Sequence, residues 1–192
     1  TFDDPAVLPV ISSARDPVAM LVGQAPGKTE VIDRRPFAGR AGRTLFRWFS
    51  SIGIDEQVAR RRIYIAAITR CFPGSSPSGR GDRVPSPFQV ANCSAWLDAE
   101  IAMIRPAVII PVGSLAIERF LGGGLLSDLI GRAHRLRDLP GAPVAIPLPH
   151  PSGASSWIHT PGHMELVGRS LELVAARLPE LIRESTLTRS VA

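Results

Sequence analysis

The sequence predicts an α/β protein built on a parallel sheet with helices on both faces. Four apolar runs of strand length, Val18–Val22, Ile63–Ile68, Ala107–Val112 and Val144–Leu148, recur along the chain. Unbroken apolarity, rather than alternation, is what a strand covered on both faces requires. Segments with helical spacing separate the runs, and a parallel neighbour needs such a crossover. The loops after the four strands, Gly23–Gly39, Thr69–Pro87, Gly113–Ser114 and His150–His159, then gather on one edge, where open α/β sheets bind ligands.

Taken in order, Thr1–Pro17 holds three prolines and no period, and reads as an irregular arm with a short strand at Val7–Ile11. The chain is organised around Val18–Leu45, VAMLVGQAPGKTEVIDRRPFAGRAGRTL. The first strand breaks at Gly23, a turn is expected at Pro26-Gly27, and a polar loop with Glu30, Asp33, Arg34 and Arg35 leads to Phe37 behind Pro36. Gly39 and Gly42 then open an apolar helix. Read alone, these glycines fit a plain connection as well as a binding loop. A helix over Thr44–Ile54 carries Leu45, Phe46, Trp48, Phe49 and Ile52 on one face. Ala59–Arg62 is a basic run before the second strand.

Arg70–Pro87 is the least regular region, with four prolines, three glycines and four serines; its charges are Arg70, Arg80, Asp82 and Arg83. Loops of that length are functional or disordered in most proteins. Phe88–Arg105 restores a helical stripe through Val90, Trp96, Leu97, Ile101 and Ile104. The third strand leads into a small helix from Gly113, stopped by three glycines. The fourth ends in Pro149, His150, Pro151, Ser152 and Gly153. A last helix is expected from Met164 to Ile182, kinked at Pro179.

At 192 residues the chain is long enough for one domain over 1–192 with a real core, flanked by the arm, 1–17, and a C-terminal tail, 184–192. No apolar stretch reaches membrane-span length and no signal segment opens the chain, so a soluble, intracellular, cytoplasmic protein is expected. The chain does not begin with methionine, which leaves open a segment before Thr1. Two cysteines, Cys71 and Cys93, fit a reducing compartment. The net charge is +5 and the pI is near 10.5, with Lys28 the only lysine. Arginine suits bidentate phosphate contact and so a nucleic-acid partner, although arginine-rich codon usage gives the same composition.

Five segments in order resemble one family: GQAPG at Gly23–Gly27, PFAGRAG at Pro36–Gly42, ITRCFP after the second strand, PVGSLA after the third and PHPSG after the fourth. Together they resemble the uracil-DNA glycosylase superfamily, most closely its bacterial and archaeal iron-sulfur branches, over Val18–Leu178. The resemblance implies a three-layer α/β/α sandwich on a four-stranded parallel sheet. It also implies a monomeric enzyme that hydrolyses the N-glycosidic bond of a deaminated base in single- or double-stranded DNA and releases uracil.

On that resemblance, Phe37 stacks on the extruded ring, with a plain core aromatic as the alternative. Gly23, Gln24 and Ala25 lie against the base and sugar, and His150 stabilises the departing uracil through its O2. Arg70 and Ser75 are further candidates to read the base. Arg40, Arg43, Ser114 and Ser152 are candidates for backbone contact. Trp157 and Ile158 are candidates for the wedge that fills the vacated stack, unless they fold back onto the core.

The chain departs from the pattern in three ways. The cluster-binding branches use four cysteines, two of them near the amino terminus. Here only Cys71 and Cys93 stand, so no iron-sulfur cluster and no metal are expected, with an upstream pair before Thr1 left open. The water-activating acid of related enzymes falls at Gln24 and Ala25, or at Arg40, so Glu30 or Asp33 is the candidate base beside an arginine-paired surface role. The base-reading asparagine of one branch falls at Ala67, which leaves hypoxanthine or xanthine open as substrates. No histidine lies between Thr69 and Pro87, so covalent capture of DNA by a loop histidine is not expected. A catalytically weak protein that binds uracil or abasic DNA is the competing reading.

Overall fold

Ala19–Gly23 (β1) is buried along its whole length and forms the centre of the sheet. Its residues alternate between two cores, Ala19 and Leu21 on one face and Met20 and Val22 on the other. That is the period of a strand covered on both sides. The computed structural model describes residues 8–76, 81–152 and 156–191. Within them β1 pairs in parallel with Ile63–Ala67 (β2) on one side and Val108–Pro111 (β3) on the other. Beyond β3 come Val144–Ala145 (β5), parallel, and His134–Arg135 (β4), antiparallel, giving the order β2-β1-β3-β5-β4. The parallel core is as the apolar runs predict. The two-residue β4 is an addition, too short and polar to leave a periodic signal. Past β5 the predicted strand continues as a single bridge between Val112 and Leu148.

Among the described residues, helices Lys28–Asp33 (α1), Arg40–Ser51 (α2), Glu56–Arg62 (α3), Pro87–Ile104 (α4), Ser114–Leu121 (α5), Leu126–Leu129 (α6), His163–Arg177 (α7) and Pro179–Val191 (α8) complete the chain. Leu45 and Phe49 of α2 share one core with Val167 and Val174 of α7. Leu97 and Ile101 of α4 and Ala116 of α5 fill the other. The basic run Ala59–Arg62 is therefore the end of a helix, with arginines in its last turn, where they suit the helix dipole. Helix α4 begins one residue before the expected stripe, at Pro87, where Ser86 and Gln89 form a reciprocal cap.

Two expectations are corrected. Residues 8–18 form no strand, and the earlier part of the expected Val7–Ile11 strand lies outside the described residues. The arm instead runs along the β2 edge, Val10 N–H donating to Arg70 O (2.9 Å) and Ile65 N–H to Ser12 Oγ (3.1 Å). The last helix does not kink at Pro179 but breaks there into α7 and α8, because proline has no amide to continue α7 and is tolerated in the first turn of α8. Positions 184–191, expected as a tail, are helical in α8. Ser185 Oγ accepts from Asp55 N–H (2.9 Å) and fastens α8 to the start of α3.

Candidate active site at the sheet edge

The chain leaves β1 to build β2 on one side and returns to build β3 on the other, so the topological switch lies between the carboxyl ends of β1 and β3. That is where a crevice for a ligand forms in such sheets. A cavity of ≈ 100 Å³ opens on the same edge, beyond the carboxyl ends of β1 and β2, walled by Gly23, Gln24, Ala25, Phe37, Ala67, Asp82 and His150, among others. It shares Gln24, Glu30, Asp82 and His150 with a wider groove of ≈ 540 Å³, which also has Lys28, Arg40, Arg83 and Ser152 on its walls. The cavity is small beside the ~300–1,000 Å³ of pockets for drug-sized ligands. It suits a single ring.

Phe37 holds one side. Its ring lies on the end of β1 so closely that a Cβ at Gly23 would stand 3.1 Å from Phe37 Cζ. Its backbone is left-handed, with φ +50°, which a side-chain-bearing residue adopts only when its surroundings hold it. Arg60 does so. From α3 its guanidinium donates to Pro36 O (2.8 Å) and Phe37 O (3.0 Å), while it lies 4.2 Å over the Phe46 ring and pairs with Glu56. Gly42 completes the seat, because a Cβ there would collide with the Phe37 carbonyl.

His150 holds the other side. Its Nδ1 stands 2.9 Å from Ser152 Oγ and accepts from Ser152 N–H at 3.3 Å. A backbone amide can only donate, so Nδ1 carries the lone pair and the proton sits on Nε2. Burial pushes the imidazole below its usual range, partly opposed by the charge of Glu30. The ring is thus a neutral donor at pH 7. Gly113, with φ +87°, lets β3 pass against it, since a Cβ there would meet His150 Cδ2 at 3.2 Å.

The sequence-derived candidates divide clearly. Gly23, Gln24, Ala25, Glu30, Phe37 and His150 come together on the cavity wall, and Arg40 and Ser152 on the groove. Others do not join them. Arg70 is buried, donates to Ala67 O (3.0 Å) and pairs with Glu100, so it braces the strand end behind the cavity instead of reading a base. Ser75 is exposed and bridges backbone to backbone with Asp82, outside the cavity. Arg43 and Ser114 are exposed and belong to neither wall. Trp157 stacks on His163 with centroids 4.0 Å apart and packs against the core, and Ile158 is half-buried beside it. An indole held in that way is not presented as a wedge. Asp33 is exposed at the end of α1.

Glu30 is present but differently employed. Its two carboxylate oxygens accept from Gly27 N–H (2.9 Å) and Gly39 N–H (3.3 Å), which ties the turn after β1 to the start of α2. Sequence reading missed Arg60, Gly42, Gly113 and Asp82 as parts of the site. Only the glycines left a local signal.

The cysteines were tested as cluster ligands. Cys71 follows β2 and is half-buried; Cys93 is buried on α4. Burial, and then the nearness of Cys93, push the Cys71 thiol up. Among the described residues no group of three or more histidine, cysteine, aspartate or glutamate side chains is placed to hold a metal. Two thiols do not by themselves fit an iron-sulfur cluster, which takes four ligands.

Fold and site together define an α/β protein with a ring-sized slot at the edge of its parallel sheet, beside a groove carrying cationic and hydroxyl side chains. The chain belongs to the uracil DNA glycosylase superfamily, whose family profile matches residues 11–171. Among curated proteins it is 35% identical over 133 residues to a type-4 uracil-DNA glycosylase of Thermotoga maritima, covering 69% of this chain and 64% of that one. It is 33% identical over 99 residues to a type-4 uracil-DNA glycosylase of Archaeoglobus fulgidus, covering 52% and 45%. To a type-4 enzyme of Pyrobaculum aerophilum it is 32% identical over 123 residues, covering 64% and 55%. The matches span less than two thirds of each relative's length.

Proposed function

We propose that this chain removes uracil from DNA by hydrolysing its N-glycosidic bond, leaving an abasic site. The observation that carries the reading is the neutral His150, with its proton on Nε2, on the wall of the same small cavity as Phe37. A base within a duplex has to leave the stack before a side chain can reach it, and a flipped ring is held by stacking and by hydrogen bonds to its edge. Phe37 supplies the stacking surface. As the C1′–N1 bond breaks, negative charge collects on the uracil ring. A donor aimed at O2 then holds the transition state more tightly than the ground state. His150 Nε2–H is such a donor and needs no positive charge for it.

Lys28, Arg40, Arg83 and Ser152 support a backbone path along the groove. The names of the relatives point to the same substrate. A monomeric state carries over from the family resemblance.

The test is incubation with a uracil-containing oligonucleotide followed by alkali, which breaks the strand at abasic sites. Wild-type protein is expected to give the cleaved product. His150→Ala is expected to slow its formation about 10²–10³-fold, the usual cost of one such donor. A band shift without cleavage by the wild type would mean a binding protein instead.

A further inference from the structure

Hydrolysis also requires a group that takes the proton of the attacking water. The residues suggested by sequence position do not provide it: Gln24 and Ala25 have no basic atom, Asp33 is exposed at the end of α1, and both oxygens of Glu30 hold backbone amides. One further carboxylate stands on the cavity wall among the described residues. Resting on the glycosylase reading above, we propose that Asp82 is the catalytic base, its carboxylate taking the proton of the water that attacks the sugar C1′.

Three features of the structure support this. Asp82 belongs to both walls, the ring cavity and the groove, together with His150, so it stands where base and sugar would meet. The backbone beside it is also hydrogen-bonded. Ser75 bridges to Asp82, Ser76 N–H donates to Gly81 O (3.0 Å), and Arg83 N–H donates to Gly74 O (2.8 Å). Backbone bonds thus join residues 74–76 to residues 81–83, and the second of these segments carries the carboxylate. Finally, the turn after β1 makes room for it. A Cβ at Gly27 would lie 2.6 Å from Asp82 Oδ2, and the Lys28 backbone amide donates to the carboxylate.

Among the described residues, Glu30 and Lys28 act on the charge of Asp82, His150 lies on the same cavity wall, and Arg40 and Arg83 line the same groove. Burial first, and Glu30 second, push its carboxyl above the usual carboxylate range, against the Lys28 amide and charge. A raised carboxyl is a stronger base when ionised, which suits proton abstraction near neutral pH. The step balances. The C1′–N1 bond breaks and its electron pair leaves on uracil. The water oxygen forms the new bond to C1′, and its proton passes to Asp82 and on to solvent.

Single-turnover excision from a uracil-containing oligonucleotide tests the assignment, with binding measured on a 2′-fluorinated deoxyuridine oligonucleotide that resists cleavage. Asp82→Asn is expected to lose about 10²–10⁴ in rate with binding unchanged, and Asp82→Glu to recover part of it. The wild-type rate is expected to fall as pH drops through the raised carboxyl range, and that limb is expected to vanish in Asp82→Asn. Excision by Asp82→Asn at the wild-type rate, an acid limb that persists, or a loss of binding that accounts for the whole defect would overturn the assignment and leave the glycosylase reading intact. A wild-type protein that releases no uracil would overturn both.

Discussion

At the scale of single residues, the site depends on what occupies each lone pair. His150 reads as catalytic from PHPSG alone, but its tautomer does not, because only folding places the Ser152 amide against Nδ1. Its depressed pKa has a consequence for stability. Below the ordinary imidazole value of about 6.5 the unfolded chain binds a proton that the folded chain does not, so stability is full above that pH and falls as pH drops towards the lower folded value. The loss is at most about 1.4 kcal/mol per pH unit within that window. Urea unfolding of wild type and His150→Gln at pH 7.5 and 5.5 checks it, the wild type being expected to lose more. Glu30 and Asp82 show the opposite side of legibility. Glu30 sits beside the glycine motif and looks like the base, but its oxygens cap amides. Asp82 sits between Gly81 and Arg83 in a loop whose composition announces only turns.

At the scale of elements, what matters is how α2 and α3 seat Phe37. The sequence suggests that α2 begins near Thr44, because its apolar face begins there. It begins at Arg40 instead, since the contact between Gly42 and the Phe37 carbonyl is made within its first turn. Arg60 reads as one member of a basic run, yet its side chain is only 13% exposed. Only tertiary contact separates it from Arg61 and Arg62. Arg60→Met keeps an apolar stem near Phe46 but removes both carbonyl contacts. It is expected to cost about 1.5–3 kcal/mol in urea unfolding, the range for hydrogen bonds to a charged donor, and to weaken capture of the uracil ring. Arg60→Lys is expected to rescue little, because an ammonium cannot serve two carbonyls as a planar fork does. An Arg60→Met protein with wild-type stability and excision would remove the clamp from the account.

At the scale of the whole molecule, four apolar runs and the crossover rule suffice for the parallel sheet and for the edge on which its loops collect. They do not reveal the two-residue β4 or which loop side chains turn inward. Trp157 illustrates the limit. It lies in a loop of small polar residues and reads as exposed, but His163, six residues on, provides a stacking partner that only the fold of α7 brings near. The parts that local pattern cannot supply are those in which two distant segments meet at one atom, as the 81–83 segment and Gly27 meet at the Asp82 carboxylate. The central claim is that Phe37 and His150 form one slot for an extruded pyrimidine. A crystal structure of the protein with a cleavage-resistant uracil-containing oligonucleotide measures it directly. The account predicts the uracil ring lying on Phe37, with O2 within hydrogen-bonding distance of His150 Nε2. A uracil bound elsewhere, or one that turns a different edge to His150, would contradict it.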